Sequence, residues 1–123
     1  MLDLLNMTAA ALTIAFGAFG FLAPRYTAQA LDLAPTDSTM GLSEMRASVG
    51  GLFVASGVCL PLLDMPAAWA GLGIAYAGAA SGRVLSALLD RPPMRKLLVF
   101  GGIEAALAAW LLLANLPLAL QSA

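Results

Sequence analysis

Five side chains that could do chemistry stand in a chain too apolar to hold them without a reason: Glu44, Arg46, Tyr76, Arg83 and Glu104. A charged group inside a membrane-spanning helix costs about 2.5–3.5 kcal/mol on insertion scales, so it faces other helices and takes a partner there. Arg83 and Glu104 are the obvious pair. They flank the turn Asp90-Arg91-Pro92-Pro93, and at about 1.5 Å of rise per residue each lies about 9–12 Å inside its helix. Arg46 enters at comparable depth from the start of the preceding span. Glu44 sits about 200° around the helix from Arg46, so the two do not serve one spot. Tyr76 lies two turns beyond Arg83 on the same face, where its hydroxyl needs a partner.

Two arginines and one glutamate leave one positive charge over. In a partly dry cleft that surplus favours an anionic group, such as a phospholipid or isoprenoid phosphate head with its apolar tail between helices. On this reading Arg46, Arg83, Glu104, Tyr76 and Glu44 form a ligand-binding set. The competing reading makes Arg83–Glu104 polar glue that fixes helix register, with Arg46 reaching out to headgroups. The chain has no His and one Cys, Cys59, set in an apolar run. Intrachain disulfides, Cys/His metal sites and histidine-based acid–base chemistry are thereby excluded, and Cys59 reads as a small core residue. No metal or cofactor is expected. Only Glu104 and Tyr76 remain as acid–base groups, which leaves enzymatic activity undecided and leans against it.

The elements that position these residues are four apolar spans. The 123 residues are 61% hydrophobic and 11% charged, against about 25% charged in a typical soluble domain. Too few polar groups exist to cover a surface facing water. Spans are expected at about 4–23, 40–63, 67–89 and 96–116, within a single transmembrane domain over 1–123. The first run is uncharged and long, and no basic segment precedes it, so it reads as a retained span rather than a signal peptide. Pro24-Arg25 should stop it. Residues 26–34 read as a short interfacial helix with Tyr26 at headgroup level, and the hydroxyls and Asp37 that follow as caps for a second span starting between Ser38 and Ser43.

Arg46, Gly50, Phe53 and Gly57 share one face of that span, and Ala47-xxx-Gly51-xxx-Ala55 is a small-residue ridge suited to tight packing. In the third span Trp69, Leu72, Tyr76, Ala79 and Arg83 share a face, and Gly78-xxx-Gly82 reads as a packing motif. Leu97, Gly101, Glu104, Ala108, Leu111 and Asn115 do so in the fourth, which Pro117 should end. Asn6 and Asn115 read as an interhelical hydrogen bond, and Asp3 and Asp64 as solvated ends. Short turns between the spans give the expected fold class: all-α, an integral membrane antiparallel four-helix transmembrane bundle.

All six basic residues, Arg25, Arg46, Arg83, Arg91, Arg95 and Lys96, fall in the 25–43 loop, the 90–95 turn or the adjacent halves of the spans. The positive-inside rule puts both basic loops in the cytoplasm and the termini outside. Trp69 and Trp110 then fall in the outer aromatic belt. The net charge of −1 gives no support for nucleic-acid binding.

Ser43-Glu-Met-Arg-Ala-Ser-Val-Gly-Gly51, Gly82-Arg83 ahead of Asp90-x-Pro92, and a lone Glu104 in the last span together resemble domain-of-unknown-function family 4345, four-span bacterial membrane proteins akin to the DoxX-like ones. The resemblance covers nearly the whole chain. It implies a four-helix membrane bundle in which Glu44, Arg46, Arg83 and Glu104 are the characteristic polar set, and it supplies no activity. Where that family often carries Asp-Gly before the proline, this chain has Asp90-Arg91. The expected function is a small membrane protein that binds a lipid or anionic amphiphile at its Arg/Glu cluster. The alternative is a structural or accessory subunit, partnered by another membrane protein or a second copy.

Overall fold

The computed structural model describes residues 2–122, and every regular element among them is helical. In chain order they are α1 (Leu2–Leu22), α2 (Pro24–Ala30), α3 (Met40–Leu63), α4 (Pro66–Leu89) and α5 (Met94–Gln121). Four of them, all but α2, are long and apolar enough to cross a membrane. The chain is therefore all-α, as its hydropathy requires. It divides into two compact units, one ending at Leu63 and one beginning at Asp64. The expectation for Asp3 falls on a side chain outside the described ones.

In the first unit, Ala23 leaves the helical region (φ −125°, ψ 59°), and α1 stops there. Pro24 lacks an N–H to continue α1, yet its fixed φ suits the first position of a new helix. The short helix expected over residues 26–34 accordingly starts at Pro24, two residues before Tyr26, and ends at Ala30. It closes with Asp32 in the left-handed region at φ 57°. Leu33 N donates to Ala28 O at 2.8 Å and Asp32 N to Gln29 O at 3.0 Å, the double bond of a Schellman cap. Helix α3 begins at Met40, inside the expected window, where Ser38 Oγ accepts the Met40 N–H at 3.2 Å.

One stretch of α3, Met45–Gly51, is π-helical, and Leu52 N–H reaches back to Ala47 O. A π-turn accommodates one extra residue per turn and is found preferentially at functional positions. From the last turn of this stretch onward, α1 and α3 approach backbone to backbone. A Cβ placed on Gly50 would lie 2.5 Å from Phe21 N, and one on Gly57 would lie 2.5 Å from Ile14 Cγ1. Gly17 and Gly20 answer from α1, facing Phe53 and Val49. Contacts that advance along α3 as they retreat along α1 make this hairpin antiparallel. The seam is thus the Arg46–Gly50–Phe53–Gly57 face. The Ala47-xxx-Gly51-xxx-Ala55 ridge is not part of it, because Ala47 and Ala55 are exposed and only glycine admits so close an approach. Cys59, expected in the core, is likewise exposed, since it lies about 200° around the helix from Gly57.

In the second unit α4 and α5 also run antiparallel. Gly73 lies against Leu111 and Leu112, and Gly101 against the aliphatic stem of Arg83. Trp69, Leu72, Tyr76, Ala108, Leu111 and Asn115 are buried, and Asn115 Nδ2 donates to Leu111 O. These are the faces the spacing marks as inward. Trp69 therefore does not sit in a lipid-facing belt. It is 2% exposed, with Nε1 3.5 Å from Asp64 Oδ1, so Asp64 also contacts the fold. The Gly78-xxx-Gly82 motif packs on nothing in this hairpin, a Cβ at either position meeting open space. Helix α5 continues past Pro117 to Gln121. A proline so near a helix end removes a single hydrogen bond, which the last turn tolerates.

The turn between α4 and α5 holds Arg91 at φ 50°, a conformation that costs an L-residue about 1–2 kcal/mol and glycine almost nothing. Arg91→Gly is expected to raise the stability of the protein in detergent by about 0.5–1 kcal/mol, after the larger chain entropy of glycine is subtracted. A thermal melt followed by circular dichroism measures it.

Candidate functional site

Arg83 and Glu104 meet as the depth match requires. Arg83 Nε donates to Glu104 Oε2 at 3.1 Å and Nη2 to Oε1 at 3.0 Å. This is the two-pronged geometry in which a guanidinium and a carboxylate neutralise each other along two parallel bonds. Glu104 is the more enclosed partner, its side chain 17% exposed against 36% for Arg83. The Arg83 guanidinium carbon also stands 5.6 Å from the centre of the Phe100 ring, within range of a cation–π attraction. Both carboxylate oxygens and two guanidinium nitrogens are thus committed inside the second hairpin. Tyr76 is buried two turns back along α4.

The first hairpin treats its arginine differently. Arg46 belongs to the π-helical stretch, and its Nη1 donates to Phe21 O. The break at Ala23 leaves the last carbonyls of α1 without their usual donors, and a cation there also suits the negative end of the helix dipole. Arg46 therefore caps α1 across the hairpin. Its charge meets no carboxylate among the described residues. Glu44 is engaged on its own helix, accepting from Ser48 Oγ, in keeping with its position far around α3 from Arg46.

Beside Arg46 lies an open cavity of about 690 Å³, lined by Leu22, Ala23, Pro24, Arg25, Tyr26, Thr39, Leu42, Ser43 and Arg46. Two arginines, a threonine, a serine and a tyrosine line it, and among the described residues no Asp or Glu does. Tyr26 is held by its ring, 6.1 Å from that of Phe19. An electropositive mouth of this kind, rich in donors and bordered by leucines, is suited to the head of an anionic amphiphile. Of the residues singled out by sequence, only Arg46 lines the cavity. In the sequence Arg25 reads as a helix stop, Tyr26 as a headgroup anchor, Thr39 as a cap and Ser43 as the far limit of the α3 start. The signal that could have found them is the clustering of two arginines and several hydroxyls around one loop. Among the described residues no three His, Cys, Asp or Glu side chains gather as a metal site would need.

The sequence matches, over residues 1–115, the family model described as "Domain of unknown function (DUF4345)". No curated protein and no solved structure matches the chain.

Proposed function

Since the chain belongs to the DUF4345 family, whose description assigns no activity, we propose a function from its own residues: a multi-pass protein of the bacterial inner membrane that binds an anionic amphiphile at the Arg25–Arg46 cavity. The observation that carries this reading is the charge of the cavity lining, two arginines with no carboxylate among the described residues. An unneutralised pair of cations at a membrane-facing mouth attracts anionic lipid heads, each basic residue contributing about 1 kcal/mol near such a surface. The exposed Leu22 beside it gives an acyl chain an apolar path away from the head. Both basic loops then face the cytoplasm, where the inner leaflet supplies anionic lipid.

Arg83 and Glu104 serve in this reading as a register clamp rather than as headgroup contacts. Their charges cancel and their hydrogen-bonding groups face each other, so little is left to offer a ligand. Arg46→Ala is expected to lower the anionic lipid retained by the purified full chain at least about fivefold, a loss of roughly 1 kcal/mol. Native mass spectrometry of both proteins from one membrane preparation reads that loss. Equal retention in wild type and variant would refute the reading.

A further inference from the structure

The cavity's charge count says more than that its ligand is an anion. Arg25 and Arg46 come from different elements, α2 and α3, and line one space. Among the described residues, the only other ionisable side chain in the lining is Tyr26. Arg46 has one nitrogen committed to Phe21 O, and a guanidinium carries five N–H donors in a planar fork. Most of that fork stays available, together with the whole Arg25 guanidinium and the hydroxyls of Thr39 and Ser43. Such a lining supplies more strong donors and more positive charge than one singly charged oxyanion can use.

A phosphodiester head offers one negative charge on two free oxygens. A phosphomonoester head offers about −1.5 to −2 near pH 7 on three strongly accepting oxygens. Two arginines lining one space from separate helices match the charge of the second and exceed that of the first. Supplying donors from two elements also distinguishes this mouth from a single basic residue that merely floats among headgroups.

We propose that the Arg25–Arg46 cavity selects a phosphomonoester dianion, carried as the head of a membrane lipid, over a phosphodiester. This inference rests on the anionic-amphiphile reading above and narrows it. Arg46 fixes one side of the phosphate from its place on the α1 cap, and Arg25 adds a second charge that a dianion uses more fully than a diester. The same oxygens on a free phosphate would meet the same donors. The leucines at the mouth favour the lipid form, since only a lipid brings apolar surface to cover them.

The test uses the full chain in a neutral micelle at pH 7.5, probed by native mass spectrometry with phosphatidate and phosphatidylglycerol of identical acyl chains, and with inorganic phosphate as competitor. Wild type is expected to hold phosphatidate about tenfold more tightly than phosphatidylglycerol, and Arg25→Gln to weaken both lipids but phosphatidate about tenfold more, so that the preference is removed. Arg25 caps no helix, so this variant stays informative even where Arg46→Ala folds poorly. A hundredfold excess of inorganic phosphate over lipid is expected to leave phosphatidate bound. Equal binding of the two lipids by wild type would overturn the monoester selectivity and leave the anionic-amphiphile reading standing. Binding of neither lipid would overturn both. Displacement of phosphatidate by inorganic phosphate would overturn the lipid as its source.

Discussion

Replacing Glu104 by alanine is expected to destabilise the protein by about 2–3 kcal/mol, because it leaves Arg83 charged among helices with its designated partner gone. Arg83 donates twice to that one carboxylate, and its neighbour Phe100 replaces only a fraction of the lost attraction. The figure sits below the value for a fully enclosed pair because the Arg83 side chain is 36% exposed and can reach toward the helix end. Two further variants separate a clamp from a simple charge requirement. Exchanging the residues, Arg83→Glu with Glu104→Arg, should recover most of the loss. Replacing both by methionine should cost less than Glu104→Ala alone, since an apolar pair of similar volume leaves nothing unpaired. Denaturation in mixed micelles, monitored by circular dichroism, gives all three values. A Glu104→Ala protein as stable as wild type would remove the clamp from the description of the second hairpin.

The other large effect lies in the first hairpin. Gly50→Ala is expected to cost about 3 kcal/mol, the upper end of what overpacking a well-fitted site produces. A methyl group there would stand 2.5 Å from Phe21 N and 2.7 Å from Phe21 Cα. Both atoms are backbone, so no side-chain rotation relieves the clash and the helices must separate. Separation also draws Phe21 O away from Arg46, so the variant should lose bound anionic lipid together with stability. Gly51→Ala supplies the contrast. Its nearest atoms begin at 3.3 Å and include the movable edge of the Phe21 ring, so a change below about 1 kcal/mol is expected. Comparing the two melts in one detergent isolates the seam.

The spans and the Arg83–Glu104 pair were legible because they rest on strong signals. Long apolar runs have few alternatives, and a charge inside one demands a partner at matching depth. The packed face of each helix was harder to read. Lipid is as apolar as a helix interface, so hydrophobic periodicity does not separate inward from outward residues. That is why Cys59 reads as core yet is exposed, and why the small-residue motifs at Ala47–Ala55 and Gly78–Gly82 mark no seam within their hairpins. The close contacts fall instead at Gly17, Gly20, Gly50 and Gly57, where backbone must touch backbone. The Arg46 cap was beyond reach for another reason. It depends on carbonyls freed by the break at Ala23 and on a π-turn, and neither has a residue-type signature.

That π-turn has an evolutionary consequence. A π-bulge is the form an α-helix takes when its chain has gained one residue without disturbing what lies on either side. Losing one codon within Met45–Gly51 would restore ordinary α-helix there and leave the residues on either side in register, while positions inside the stretch, Arg46 among them, would shift around the helix by up to about 100°. Gly57 and the remainder of the seam could keep their register while Arg46 left the end of α1 and the mouth beside it. One deletion would thus separate a lineage that has this arginine-lined mouth from one that keeps the same hairpin without it, and chain length across positions 45–51 would serve as the marker.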